Sequence, residues 1–109
     1  MDLLAKKCVA CGAGSKPIAE KEIKELIKVT SGWGLGPDSR NISREFKFKN
    51  FREAMGFVSG VSQLAESEGH HPDIHIFYNR VKLELSTHAV GGLTENDFIL
   101  AAKINRLVF

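Results

Sequence analysis

Apolar and polar side chains alternate with a period of two residues most clearly in two segments of this chain, and no other feature limits its possible folds as strongly. In "VKLELSTH" (81–88), the valine, both leucines and the threonine share one face, while the lysine, the glutamate, the serine and the histidine share the other. In "ISREFKF" (42–48), an isoleucine, an arginine and two phenylalanines likewise share one face. Because successive residues of a strand point to opposite sides, both patterns predict strands of a sheet with one buried face.

Segments with helical periodicity can cover that buried face. From Ile18 to Val29, a charged face opposes an apolar one that contains Ile23, Leu26 and Ile27. A longer helix is predicted from Phe51 to Glu68, followed by Gly69 as a helix stop. Its expected core stripe consists of Phe51, Met55, Val58, Val61, Leu64 and Ala65. Thr94 is the predicted cap of a third helix, with Asp97 at the third helical position.

The remaining strands complete the order α-β-β-α-β-β-α. "DIHIFY" (73–78) alternates again, and the glycine-rich loop around Trp33 leaves room for a short strand. This order predicts an α+β fold, a two-layer sandwich in which helices cover one face of a four-stranded antiparallel sheet. The chain has 109 residues, enough for one domain, which we expect to span residues 18–109 behind an N-terminal arm at residues 1–17.

Charge and hydropathy narrow the range of partners. The net charge is only +2, and basic residues alternate with acidic ones, so the chain lacks the electrostatic footprint of a nucleic-acid-binding protein. Its apolar runs are far shorter than the roughly 20 residues that cross a bilayer. The N-terminus has no basic segment before a long apolar one, as a secretory signal would. We therefore expect a cytoplasmic protein without direct nucleic-acid or membrane partners.

The two cysteines form a single C-x-x-C pair, Cys8 and Cys11, in the predicted arm. A structural zinc site would need a second pair of ligands, and the chain has no further cysteine to supply it. A thioredoxin-like motif would follow a strand of a βαβ unit, which this sequence does not indicate. The simplest interpretation is two reduced thiols, with a redox or metal role left open.

All four histidines of the chain follow residue 69. Three lie in "EGHHPDIHIFY" (68–78), and the fourth, His88, ends the strand pattern of "VKLELSTH". Pairing of the last two strands through a short "NR" turn would place the start of one beside the end of the other. We therefore expect His70, His71 and His88 to converge at one end of this hairpin, with Asp97 nearby.

A convergent histidine triplet is compatible with three kinds of site. Three imidazoles can bind zinc, although neither H-E-x-x-H nor H-x-H is present. Histidine also titrates near neutral pH, so neighbouring imidazoles can act as acid and base without a metal. Finally, these residues could be ordinary surface and capping residues, with Asp97 complementing a helix dipole. Spacing alone leaves these alternatives open.

The spacing of the polar residues nevertheless resembles that of a known family. In fixed register the chain carries Glu66, His70-His71-Pro72, Tyr78, His88 and Asp97. Together with "SREFKFKNFREAMGFVSGV", "STHAVGGLTENDF" and "AAKIN", this register is similar to that of the pterin-4a-carbinolamine dehydratase family. The resemblance covers roughly Ile18 to Val108.

The resemblance implies a dehydratase that converts 4a-hydroxytetrahydropterin to quinonoid dihydropterin and water in tetrahydrobiopterin recycling. It implies histidine acid–base catalysis without metal or cofactor. The implied catalytic residues are His70, His71 and His88, with Asp97 in support. The implied pterin-binding residues are Glu66, Ser86 and Thr87. His75 falls outside the family register, and the assignment of acid and base among the histidines stays open.

The resemblance also implies a homodimer or homotetramer, with the choice between them open. The transcription-factor partnership of vertebrate members is not carried over to this chain. Where vertebrate members have a tryptophan two residues after the proline of "HHP", this chain has Ile74. Two alternatives from other classes are a non-catalytic dimerisation partner or coactivator and a zinc hydrolase.

Overall fold

A computed structural model describes residues 3–9 and 16–108 of the chain. The predicted order α-β-β-α-β-β-α is confirmed. The helices and strands are α1 Glu20–Val29, β1 Gly34–Leu35, β2 Ile42–Lys47, α2 Phe51–Glu68, β3 Asp73–Phe77, β4 Arg80–Leu85 and α3 Glu95–Asn105. Short 3-10 turns lie at Leu3–Ala5, Pro37–Ser39, His88–Val90 and Arg106–Val108. Helix α1 begins two residues later than predicted.

The four strands form one antiparallel sheet in the order β1-β2-β4-β3. Strand β4 is therefore central, with Val81 opposite both Phe46 of β2 and Ile76 of β3. The apolar residues of β4 are fully buried, whereas Lys82 and Glu84 between them are partly exposed. The predicted α+β sandwich is thus confirmed, and the alternation in β4 separates a core face from an open face.

The open face of the sheet is covered by charged side chains. Lys82 lies 3.4 Å from Glu84, and Arg80 lies 3.6 Å from Glu45 on β2. All four side chains are at least partly exposed, so these pairs contribute little stability. Their effect is to keep this face polar and the core on one side.

The predicted core stripe of α2 is wrong in part. Phe51 and Met55 are 49% and 38% exposed, and Val58 and Leu64 are only partly buried. Val61 and Ala65 of the predicted stripe are buried, and the helix also buries Ala54 and Phe57, which were not predicted. Because these residues recur every three or four positions, they also form one helical face, rotated from the predicted one. Phe51 in the first turn stacks on Tyr78, with ring centroids 6.5 Å apart.

Both ends of α2 are fixed by local hydrogen bonds. At its start, Asn50 Oδ1 accepts a hydrogen bond from the Glu53 N–H at 2.9 Å. At its end, Gly69 adopts a left-handed conformation with φ 67°, and its N–H bonds to the Ala65 carbonyl. This turn directs the chain out of the helix at His70, immediately before β3.

The loop after α1 joins the core through Trp33. Its side chain is buried, and its Nε1 donates a hydrogen bond to Asn105 Oδ1 at 2.9 Å. The short strand expected near this residue is β1. Of the helices in residues 3–9 and 16–108, none is long and apolar enough to cross a membrane.

Candidate active site

A cavity of about 260 Å³ lies where the end of α2, the end of β4 and the start of α3 meet. Five of the residues singled out from the sequence line it, namely His70, His71, Ser86, Thr87 and His88. The β3–β4 hairpin accounts for this convergence: because Asp73 pairs with Glu84, the residues before Asp73 and after Glu84 leave the sheet at the same end. The structure therefore brings the three imidazoles to one pocket.

The alternation in the sequence predicts that His88 ends a strand. In the structure it lies on a turn instead. Strand β4 ends at Leu85, and Thr87 and Gly92 form an isolated bridge with N···O distances of 2.7 and 3.4 Å. The bridge closes a loop whose 3-10 turn begins at His88 and whose Gly91 has φ 66°. This closed loop presents the exposed His88 side chain at the cavity.

Asp97 is fully buried and accepts three hydrogen bonds within the site. Its Oδ1 lies 2.6 Å from His70 Nε2, and its Oδ2 accepts from the Thr87 hydroxyl at 2.9 Å and the Thr94 N–H at 3.0 Å. A carboxylate can only accept hydrogen bonds, so Nε2 of His70 carries the hydrogen. The other ring nitrogen of His70, Nδ1, takes no part in this contact with Asp97.

The Thr87 hydroxyl is occupied by this network. It lies 2.9 Å from the Thr94 hydroxyl and 2.9 Å from Asp97 Oδ2. A hydroxyl has one hydrogen, and here it points to the carboxylate, so the Thr94 hydroxyl donates to Thr87. Thr87 was expected from the family resemblance to lie near the pterin. Thr87 lines the cavity, but its hydroxyl hydrogen is donated to Asp97 and is not offered to a ligand.

His71 is in a different environment from its neighbour His70. Its Nε2 lies 2.7 Å from Glu66 Oε2, and the two side chains are 60% and 75% exposed. The His70 side chain is only 12% exposed. The adjacent histidines thus pair with different carboxylates, one exposed and one buried. Glu66 is connected to the cavity through His71.

Two other residues of the histidine segment lie away from the cavity. His75 is on the open face of the sheet, 3.8 Å from Glu84. Tyr78 is in the hairpin turn with φ 54°, and its side chain is 67% exposed beside Phe51. Neither residue is placed to take part in chemistry at the cavity.

Cys8 lies near the site, in the described part of the N-terminal arm. Its Sγ donates to the Asn96 carbonyl at 3.5 Å, and its N–H donates to Glu68 Oε1 at 2.9 Å. Burial raises the pKa of the Cys8 thiol to about 12, and the nearby charge of Glu68 adds to this effect. Cys11 falls outside the described residues, so the role of the C-x-x-C pair stays a prediction.

A metal site would bring several histidine, cysteine or acidic side chains together. Within residues 3–9 and 16–108, no three such side chains are grouped so that they could hold a metal ion. Asp97 is hydrogen-bonded to Thr87 and Thr94 as well as to His70. These contacts describe a hydrogen-bonded cluster of Asp97 with His70, Thr87 and Thr94.

Comparison with known proteins assigns the family. The family model described as "Pterin 4 alpha carbinolamine dehydratase" matches residues 16–107, most of the chain. The chain belongs to this family. Its members carry the name of a dehydratase, an enzyme of the hydro-lyase class. The resemblance inferred from the histidine register is confirmed.

Curated relatives match nearly all of the chain. The Arabidopsis thaliana protein "Pterin-4-alpha-carbinolamine dehydratase 2, mitochondrial" is 47% identical over 110 residues. This match covers 97% of the present chain but 59% of that protein, so the chain spans little more than half of that relative. A Nitrosospira multiformis protein, provisionally given the name pterin-4-alpha-carbinolamine dehydratase, is 45% identical over 107 residues. Here the match covers 97% of this chain and 92% of that protein.

Solved structures support the same fold. The crystal structure of a transcriptional coactivator/pterin dehydratase from Brucella melitensis has a TM-score of 0.82 and 36% identity, covering 86% of this chain and all of that one. A pterin dehydratase-like protein identified as a RuBisCO assembly factor in the alpha-carboxysome has a TM-score of 0.62 and 22% identity. That match covers 70% of this chain and 88% of that one, and it shows the fold alone.

Several residues of the site could not be named from the sequence. Thr94 completes the network around Asp97, and its pattern as a helix cap was the only available signal. Val9 and Asn96 also line the cavity. They meet across 87 residues of sequence, and no periodicity relates positions so far apart.

Proposed function

We propose that this protein dehydrates 4a-hydroxytetrahydropterin to quinonoid dihydropterin and water by histidine acid–base catalysis. The observation that carries the proposal is the convergence of His70, His71 and His88 on one cavity, with His70 held by a buried carboxylate. Membership of the dehydratase family supports the reaction class.

The reaction requires two proton transfers and no change of oxidation state. The bond between C4a and its hydroxyl oxygen breaks, and the departing oxygen takes up a proton to leave as water. The proton on N5 is removed, and its electron pair forms the new double bond between N5 and C4a. An imidazolium can supply the first proton and a neutral imidazole can accept the second, so one turnover restores the total number of protons on the enzyme.

The surroundings of each histidine suggest how it contributes. Asp97 holds His70 with its hydrogen on Nε2, which leaves Nδ1 to accept or donate a proton. Glu66 orients the more exposed His71, and the closed loop after β4 presents His88. Ser86 also lines the cavity, which supports its proposed role in pterin binding. Which imidazole is the acid and which the base is left open within this proposal.

The finer physiological role is the one that the family resemblance implies. In that family a 4a-hydroxytetrahydropterin arises when a tetrahydropterin is used in a hydroxylation, so we propose a step of pterin recycling, with tetrahydrobiopterin as the pterin that the resemblance implies. Quinonoid dihydropterin would then be the product passed on for reduction. We also propose that the protein acts as a homo-oligomer, as the family resemblance implies.

The test is dehydration of freshly generated 4a-hydroxytetrahydropterin, followed by absorbance. Wild-type protein is expected to accelerate the reaction, and the double variant His70→Ala/His71→Ala and the single variant His88→Ala to lose most of this effect. His75→Ala is the matched control, because His75 lies away from the cavity. Equal acceleration by the wild type and the double variant would show that the assignment is wrong, as would no acceleration by either.

A further inference from the structure

The described part of the N-terminal arm forms one wall of the cavity. Residues 6–9, here called the strap, run across the ends of α2 and α3, and Val9 lines the cavity beside His70 and His88. Just before the strap, Leu3 is buried in the hydrophobic core, which fixes the preceding turn on the domain. The strap is therefore part of the site's construction.

Asn96 fixes the strap by a two-point hydrogen bond to the main chain of Val9. The Asn96 Oδ1 accepts from the Val9 N–H at 3.0 Å, and the Asn96 Nδ2 donates to the Val9 carbonyl at 2.6 Å. Asn96 itself is only 4% exposed, so its amide is held in place next to Asp97. Both bonds use main-chain atoms of Val9, and its side chain is not needed for them.

A second attachment holds the strap one residue earlier. Glu68 Oε1 accepts from the Cys8 N–H at 2.9 Å, while Glu68 Oε2 pairs with Lys103 at 2.8 Å. The Glu68 side chain is 5% exposed and the Lys103 side chain 16%. Burial would raise the pKa of Glu68, but the hydrogen bonds from Lys103 and Cys8 and the charge of Lys103 outweigh it and hold the pKa below its ordinary value. A charged carboxylate thus holds the main chain beside Val9.

The Val9 side chain is left exposed by this arrangement. It is 70% exposed even though the main chain around it is fixed at two positions. The rest of the described lining is polar or small, and among these residues Val9 carries the largest hydrocarbon side chain. Binding sites for flat heterocycles combine a few polar groups with apolar walls. Val9 supplies such a wall, and a bound ring would remove its methyl groups from water.

We propose that Val9 contacts the pterin ring and that Asn96 is a positioning residue that acts through the main chain of Val9. This inference rests on the proposed function, since it names a further contact for the same substrate. It also gives the N-terminal arm a role in substrate binding, and it assigns Glu68 and Cys8 to holding the wall in place.

The test separates substrate binding from turnover. Val9→Ser keeps the main-chain hydrogen bonds and removes the apolar wall. We expect it to raise both KM and the Kd for 7,8-dihydrobiopterin about fivefold, and to leave kcat within about twofold of wild type. Kd is measured by fluorescence titration. The matched control is Leu4→Ser, which removes an exposed branched side chain from the same arm, away from the cavity, and is expected to change neither constant.

Asn96→Ala tests the positioning role. It is expected to raise KM as Val9→Ser does and to speed tryptic cleavage at Lys6 or Lys7. Combined with Val9→Ser, it should add almost no further increase in KM, because both changes remove the same wall. A purely structural role for Asn96 predicts additive effects and would contradict its part of the proposal.

The outcomes distinguish this inference from the proposed function. If Val9→Ser binds 7,8-dihydrobiopterin as tightly as wild type, the proposed contact between Val9 and the pterin ring is wrong, whatever the turnover shows. A wild-type protein that binds the pterin but does not dehydrate the carbinolamine overturns the proposed function, while weaker binding by Val9→Ser still supports the wall. If the wild type does not bind the pterin, both proposals are overturned.

Discussion

At the residue scale, the site depends on one buried carboxylate with several partners. Asp97 is 0% exposed, and it joins a histidine at the cavity to the hydroxyl of Thr87 and the main chain of Thr94. A buried charge is tolerated when hydrogen bonds satisfy it, and this network does so. The orientation of His70 is therefore set from inside the protein.

Replacing Asp97 with asparagine tests this orientation. The Asp97→Asn side chain has almost the same shape, but its NH₂ group can donate to His70 Nε2 and so favour the opposite tautomer. We expect kcat to fall about a hundredfold with little change in KM, as measured by steady-state kinetics. Glu66→Gln is the control at an exposed histidine–carboxylate pair and should have a much smaller effect. Unchanged kcat in Asp97→Asn would contradict the role given to this carboxylate.

The Cys8 thiol provides a prediction about pH. Burial, followed by the charge of Glu68, raises its pKa to about 12, and the thiolate is the form that reacts with alkylating agents. In a Cys11→Ser variant, where Cys8 is the only thiol, native protein at pH 8 should react with iodoacetamide at least about tenfold more slowly than protein unfolded in urea. The native rate should still be rising above pH 9. Equal native and unfolded rates would show that the thiol is not protected.

The raised pKa of Cys8 also determines in which direction stability changes with pH. A thiol whose pKa is higher in the folded than in the unfolded chain stabilises the fold below the unfolded value of 9.0. This contribution is lost as pH rises from 9.0 towards about 12. Cys8→Ser should therefore unfold with a weaker pH dependence in this range than wild type.

At the scale of elements, local patterns predict the strands and helices better than their faces and ends. The alternation in β4 correctly separates buried from exposed residues as far as Thr87. The strand nevertheless ends at Leu85, because main-chain bonds between Thr87 and Gly92 close a loop there. In α2 the bounds are as predicted, but the buried face is rotated, since packing against the sheet selects Phe57 over Phe51.

The convergence of the histidines followed from the hairpin, whereas the strap did not follow from any local pattern. Antiparallel pairing of two predicted strands is enough to bring His70 near His88. The bond between Val9 and Asn96 instead depends on how the whole chain folds back on itself. This non-local part of the site is the part that sequence reasoning missed.

A glycine inside α2 and the glycine that ends this helix should respond oppositely to alanine. At Gly56, inside the helix, a Cβ would meet no atom within 4 Å, so Gly56→Ala should stabilise the protein by about 0.5–1 kcal/mol. At Gly69, φ is 67°, so Gly69→Ala should destabilise it by about 1–2 kcal/mol although space is available. Urea denaturation measures both at one protein concentration. If both variants changed the free energy of unfolding in the same direction, backbone conformation would not govern the end of this helix.

At the scale of the whole molecule, the sheet has an exposed edge. All five residues of β3 are exposed, and this strand lies at the edge of the sheet with Ile74 and Ile76 partly uncovered on the core side. An edge of this kind offers main-chain groups and apolar area to another strand. The homo-oligomer expected from the family resemblance has a suitable surface here, though its existence stays a prediction.

Introducing a charge at this edge tests the oligomer. In size-exclusion chromatography with light scattering, we expect wild-type protein to elute as a dimer or tetramer. Ile76→Lys should shift the protein towards monomer, because a charged side chain cannot be buried at such a contact. Val29→Lys is the control, since Val29 is also an exposed apolar residue but lies on α1. A monomeric wild type would contradict the expectation, and an unchanged mass for Ile76→Lys would rule out this edge.

The capping of α3 has a consequence for how the site can change. The carboxylate that holds His70 is the same one that accepts the main-chain N–H of Thr94, the residue that caps α3. Loosening the imidazole to accept a different substrate would therefore also loosen the helix end, and the two effects could not be selected separately. An adaptable specificity is easier to evolve at the strap, whose side chain at Val9 varies independently of the bonds that hold it.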